Sequence, residues 1–158
     1  MASDETEIEE AKPHVMFVTR KWPPAMGGME TYAVRLTDML RQRCDLDIVA
    51  LHGQPNGQPP GILALLGFPF MFLKSWFTRS RVPQVLHLCD MSLWPLGLIA
   101  WLNAGETRVV LSAHGTDAAY HRRGGIKGKL YGAYLRLGVR MLRGADVVEV
   151  ALDRGRSG

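Results

Sequence analysis

The sequence has little cysteine and no cysteine motif. Cys44 and Cys89 are the only two, and they form no metal or redox pattern, so reduced, cytosolic thiols are expected. Long apolar runs are missing too. The longest candidates, Ile62–Leu73 and Leu93–Leu102, fall short of the roughly 18 residues a spanning helix needs, and each carries Gly or Pro. Residues 1–12 (MASDETEIEEAK) have no apolar h-region and read as a disordered acidic tail rather than a signal peptide. The GxGxxG spacing is absent and no acid ends the second strand-like run in the expected way, which disfavours a nicotinamide enzyme. No Gly-Lys-Ser/Thr is present where a P-loop would need it, which disfavours a Walker-type NTPase. Aromatics are not interleaved with basic residues and no nucleic-acid motif is found, so no nucleic-acid partner is expected.

What is present suits one globular domain. The 158 residues are 47% apolar, enough for one core. The formal net charge of +4 hides an asymmetry. Residues 1–12 hold five acids and one lysine, a charge of −4, which leaves +8 on residues 13–158. A basic domain meets anions: phosphates, nucleic acid or an acidic membrane surface.

Along the chain, short apolar runs alternate with helical patterns. Val15–Thr19, Leu46–Leu51, Val85–Cys89, Arg108–Ala113 and Asp146–Ala151 read as strands. Between the first two, Tyr32, Leu36, Met39 and Leu40 share a helical face. Ile62–Ser80 reads as a helix, very apolar at first and basic at its end, that Pro69 should bend or interrupt. Ser92 can cap a helix from about Leu93 to Asn103, with Gly105 as its stop. Residues 126–143 form the clearest helix. Leu130, Tyr134, Leu137 and Met141 make an apolar stripe, and Lys129, Arg136, Arg140 and Arg143 a basic one. The order βαβαβαβαβ predicts an α/β fold, a doubly wound Rossmann-like parallel sheet of about five strands. In the common strand order 3-2-1-4-5, the loops after strands 1 and 4 would lie side by side at the topological switch point, where such folds bind ligands.

Those two loops carry the chemistry. After strand 1 comes PPAMGGMET. A glycine has no Cβ, so its N–H can approach a ligand closely, and the helix that follows adds partial positive charge. That suits a phosphate or diphosphate; the alternative is that Gly27 and Gly28 only make a tight strand-to-helix turn. After strand 4 comes HGTD. His114 suits a catalytic or sugar-binding role near neutral pH, with Asp117 holding a loop or a hydroxyl. The alternatives are a metal site of His114, Asp117 and His121, disfavoured for want of a further ligand, or a loop histidine satisfied by backbone.

Taken together, PxxGGxE after the first strand, the helix TYAVRLTDML, the strand and loop VVLSAHGTD, and the GADVVEV segment resemble the N-terminal domain of family 4 glycosyltransferases. These are retaining enzymes of the GT-B type, with two Rossmann-like domains. The resemblance covers residues 13–151, between the acidic tail of residues 1–12 and an irregular tail of residues 152–158. It implies that Gly27 and Gly28 lie against the diphosphate of a nucleotide-sugar donor. It implies that Glu30 and Thr31 begin the first helix beside the cleft, and that Thr116, Asp117 and Tyr120 shape the acceptor side. His114 would be the catalytic residue near the transferred sugar. The implied reaction moves a sugar to an acceptor hydroxyl with retention, with no metal and no cofactor beyond the nucleotide-diphosphate sugar. The implied acceptor is a carbohydrate or a lipid-linked molecule.

The sequence also departs from that family. A second, donor-binding domain with its E-x7-E carboxylates is not found, and no serine opens a helix after the fifth strand. A truncated chain, inactive alone, is the expectation. Ile62–Phe77 with Lys74, Arg79 and Arg81, and the basic stripe near residue 135, would fit an anionic membrane surface. A buried crossover helix and a solvated helix face are the alternatives. Cytoplasmic location, peripheral at the inner face of the membrane, is therefore expected, and a non-catalytic membrane-surface or partner-binding domain is the competing function.

Overall fold

The structure, a computed structural model, describes residues 11–103, 106–114 and 125–142. Its elements are β1 (His14–Trp22), α1 (Gly28–Arg41), β2 (Asp45–His52), α2 (Ile62–Thr78) and β3 (Val85–Leu88). A 3-10 turn (Met91–Leu93), the short α3 (Trp94–Gly97) and a second 3-10 stretch (Leu98–Asn103) follow. Then come β4 (Arg108–Leu111) and α4 (Ile126–Leu142). The fold is α/β with an all-parallel sheet, as the alternation of patterns predicts. Four strands lie among the described residues; the expected fifth, Asp146–Ala151, lies outside them.

The strand order corrects the expectation. It is β2-β1-β3-β4, so β3, not β4, is the second neighbour of β1. Charge and burial explain the choice. β2 exposes Asp45 and Asp47, which suits an edge and discourages a further strand beyond it. β3 is four residues, VLHL, and none of them is exposed, so it sits between two partners. The chain therefore reverses after β2, crosses back over β1, and the switch point falls between β1 and β3.

Alternate residues of β1 serve two cores. Met16 and Val18 join Phe68, Phe72 and Trp76 of α2, Trp94 and the Leu142 side chain in the larger one. Phe17 joins Ala33 and Cys89 in the smaller one, under α1. Thus α1 covers one face, and α2, α3 and α4 the other.

Three helical segments differ from their sequence readings: the helix expected from about Leu93 to Asn103 is α-helical only over Trp94–Gly97, with 3-10 stretches on either side. α2 runs unbroken from Ile62 to Thr78 with Pro69 inside it. Phe68, Phe72 and Trp76, all buried, anchor both halves to the sheet and offset the roughly 3 kcal/mol that an internal proline costs. α4 faces inward not with the stripe of Leu130, Leu137 and Met141, which is exposed, but with Gly128, Gly132, Leu135, Gly138 and Leu142. The reason is ring size. A Cβ on Gly138 would overlap the Trp94 indole, so only glycine lets α4 close on that ring. Tyr134, half-buried beside it, has its ring centroid 5.4 Å from Trp94.

Candidate functional site

The carboxyl ends of β1, β3 and β4 meet at the switch point. β1 runs further than Val15–Thr19, adding Arg20, Lys21 and Trp22. The glycine loop then folds against the loop after β2. Gly53 N donates to the Trp22 carbonyl at 3.0 Å and Met26 N to that of Gly57 at 3.3 Å. A Cβ on Gly53 would overlap the backbone of Ala25, so that contact requires glycine.

Gly27 is the N-cap of α1, with extended backbone that any residue could adopt. Its Cα instead lies against the Glu30 carboxyl, which a Cβ would overlap. Glu30 is buried, turned back on the first turn, where the helix dipole favours a carboxylate. Thr31 is exposed, and its hydroxyl donates to the Gly27 carbonyl at 3.0 Å. Gly28 is different: it is exposed, and a Cβ there would meet nothing within 4 Å. From Gly27 and Gly28 a cleft of about 580 Å³ runs past Thr31, Tyr32 and Arg35 to Met39. Gly27 and Gly28, at the N-terminus of α1, line one end of it.

β4 does not adjoin β1, yet the segment after it reaches the crevice. Cys89 N donates to the Val18 carbonyl and Ser112 N to that of Leu88, both at 2.9 Å, which extends the sheet beyond β3. His114 then lies over the end of β3. Its Nε2 is 3.0 Å from the Cys89 carbonyl oxygen. A carbonyl only accepts, so Nε2 carries the hydrogen and Nδ1 is the acceptor of the neutral ring. The Tyr32 ring of α1 meets the imidazole edge-to-face, centroids 5.0 Å apart. The first helix and His114 therefore share one edge of the sheet. Beneath them His87, mostly buried, has Nε2 2.8 Å from Ser112 Oγ. Burial, then the neighbouring His114, lower its pKa to about 4, so it is neutral at pH 7.

The sequence reading missed a polar cluster at the mouth of the crevice. Arg20 Nη2 donates to Asp90 Oδ2 and to Ser92 Oγ. Ser92 in turn donates to Asp90 Oδ1 from its N and its Oγ, each at 2.7 Å. Asp90, not Ser92, is therefore the cap of the turn that follows. Tyr134 donates to the Ser92 carbonyl at 2.7 Å, which ties α4 to the same point. Burial alone would raise the Asp90 carboxyl, but the charge and hydrogen bond of Arg20, with those from Ser92, hold it below its ordinary value. The signal was present as a basic residue ending strand 1 and an Asp-x-Ser after strand 3, but only the pairing of β1 with β3 makes them neighbours.

Thr116, Asp117, Tyr120 and His121 lie outside the described residues. Among the described residues no group of three or more His, Cys, Asp or Glu side chains is placed to hold a metal ion.

A parallel sheet, a glycine-led helix at its carboxyl edge and a histidine folded over the neighbouring strand define a Rossmann-like α/β domain. The family profile of Glycosyltransferase Family 4 matches residues 26–150. The chain belongs to that family. No curated protein and no solved structure matches it.

Proposed function

We propose that the chain is the acceptor-side domain of a retaining glycosyltransferase that moves a sugar from a nucleotide-diphosphate donor to the hydroxyl of a carbohydrate or lipid-linked acceptor. The observation that carries this reading is the shared edge: Gly28 opens on empty space at the N-terminus of α1, and Tyr32 of the same helix touches His114. A diphosphate at that N-terminus accepts from backbone N–H groups, which meet the charge that develops on the leaving group. His114 presents Nδ1 as an acceptor, suited to a sugar or acceptor hydroxyl. Thr31 and Glu30 shape the first turn, and Thr116, Asp117 and Tyr120 are assigned to the acceptor side by family resemblance. No metal is assigned a role. Enzymes of this kind hold most of the nucleotide on a second domain, so these 158 residues by themselves bind donor weakly and turn over little. The location is cytoplasmic.

Gly28 offers a test, because a Cβ there meets no protein atom within 4 Å. Calorimetric titration with uridine and guanosine diphosphate sugars should show weak binding that Gly28→Leu reduces roughly tenfold or more, the equivalent of losing a charge-assisted hydrogen bond. Equal affinity in wild type and Gly28→Leu would remove the diphosphate from this helix. No heat from any nucleotide sugar would favour the second reading, a non-catalytic surface-binding domain, which the exposed side of α2 supports.

A further inference from the structure

The Asp90 side chain is 3% exposed and that of its partner Arg20 30%. A buried pair of this kind is not needed for stability, since apolar residues of similar volume serve as well. What it supplies is direction. Three donors converge on the Asp90 carboxylate: Arg20 Nη2 on Oδ2, and Ser92 N and Ser92 Oγ on Oδ1. Arg20 Nη2 also donates to Ser92 Oγ, and the Tyr134 hydroxyl of α4 holds the Ser92 carbonyl. Both carboxylate oxygens are thus fixed by residues from β1 and from the turn after β3, and α4 braces that turn.

Asp90 follows Cys89 across one peptide unit. That unit is planar, so the Cys89 carbonyl and the Asp90 N–H turn together. On one side of it Cys89 N donates to the Val18 carbonyl at 2.9 Å. On the other side Asp90, extended at φ −156° and ψ 131°, is held by its carboxylate. The carbonyl between these two anchors is the one that lies 3.0 Å from His114 Nε2. The Cys89 sulfur is 4.0 Å from the same nitrogen, and sulfur is the weaker acceptor, so the Nε2 hydrogen goes to the carbonyl. The Tyr32 ring, edge-to-face with the half-buried imidazole, orients its plane. The carbonyl chooses its tautomer.

We infer that Arg20 and Asp90 are positioning residues for His114: by holding the Cys89–Asp90 peptide they aim the carbonyl that keeps the hydrogen on Nε2 and leaves Nδ1 as the acceptor. The pair acts through the backbone and needs no contact with a ligand. With the pair lost, the peptide is free to turn. The imidazole then exchanges tautomers, which puts a donor where an acceptor stood. That Nδ1 serves a sugar or acceptor hydroxyl rests on the transferase reading; the control of His114 by the pair does not.

The test is the imidazole nitrogen spectrum of the whole chain, labelled with nitrogen-15 and recorded where the rings are neutral. The signals that His114→Gln removes assign the residue. In the wild type Nε2 should show the shift of a protonated nitrogen and Nδ1 that of a bare one. Asp90→Asn keeps the shape and loses the charge; Arg20→Gln/Asp90→Asn removes both charges and leaves no buried ion alone. In each, the ratio of the Nε2–H to the Nδ1–H form should fall about fivefold, the worth of one hydrogen bond. Arg20→Lys, which keeps a cation opposite Asp90, should stay near the wild-type ratio. Thermal melts report whether the fold is kept, and His14, at the start of β1 and so at the far edge of the sheet, serves as the control ring. A wild-type His114 with its hydrogen on Nδ1, or an unchanged ratio in the folded double variant, overturns the inference. So does a change at His114 that His14 matches, which would make the pair a general brace. If neither Asp90 variant folds, Ser92→Ala decides: it removes one donor to Asp90 and keeps the ion pair, so the ratio should fall about twofold, and no fall overturns the inference. Nucleotide-sugar titration of the same variants separates the two proposals, since donor binding can be absent while His114 responds, and the reverse.

Discussion

α1 and α2 cover opposite faces of the same pair of strands and present opposite surfaces to the outside. α1 buries small residues, Ala33 and Thr37, and turns Arg35, Asp38 and Arg41 outward, with Arg41 bonded to Asp38 at 2.9 Å. α2 buries three aromatics and turns a second apolar face outward. Both are helices after a glycine-containing loop, yet only α1 has the single apolar stripe of a helix that meets the core on one side and water on the other. The mean composition of α2 resembles that of a buried crossover. The lesson is that hydrophobicity summed along a helix says how much apolar surface there is, not how many partners divide it.

The sharpest break of that comparison is Trp76→Ala against Leu66→Ala. Trp76 is 2% exposed and Leu66 is 66% exposed on the same helix. Denaturant unfolding should show a loss of about 3–5 kcal/mol for the first. For the second the change should stay within about 0.5 kcal/mol. Equal costs would mean that the outer stripe is packed against something in the free chain.

The face that α1 covers carries the next effect. His87 has a folded pKa of about 4 against an ordinary 6.5. Above pH 6.5 it is neutral in both states and costs nothing. As pH falls from 6.5 towards 4 the unfolded chain takes up the proton first, so stability declines, by at most about 3 kcal/mol, and levels off below 4. His87→Gln should flatten that slope in unfolding curves taken between pH 7 and 4. A slope that persists would place the titration elsewhere. Asp90, whose pKa is held low, loses its contribution only at more acid pH.

A smaller effect tests what holds the glycine loop at the head of α1. Gly53→Ala sets a Cβ into the Ala25 backbone. Overpacking of this kind should cost about 1–3 kcal/mol and lower nucleotide-sugar affinity by displacing the start of α1. Full stability with unchanged binding would show that the two loops move independently.

Much of the frame was legible from pattern. The four described strands and the helices between them lie where the apolar periods and turn residues put them, because period 2 and period 3.6 are local properties. The glycine loop and His114 stood out because neither fits an element interior. The strand order was not legible: reversing after β2 depends on Asp45 and Asp47 making β2 an edge, a comparison between strands that no single segment contains. Nor was the inner face of α4, since leucines suggest burial until the Trp94 ring makes glycine the residue that fits. The Arg20–Asp90 pair joins residues 70 apart in sequence.

The sequence by itself determined the element types, the basic balance of residues 13–158 and the two loops with unusual chemistry, since each follows from neighbouring residues along one stretch of chain. Only the tertiary structure decided which loops meet, which of the apolar helix faces is buried, and that Tyr32 lies against His114. Those outcomes rest on packing between distant segments, where shape and charge complementarity choose among arrangements that local preference leaves equal.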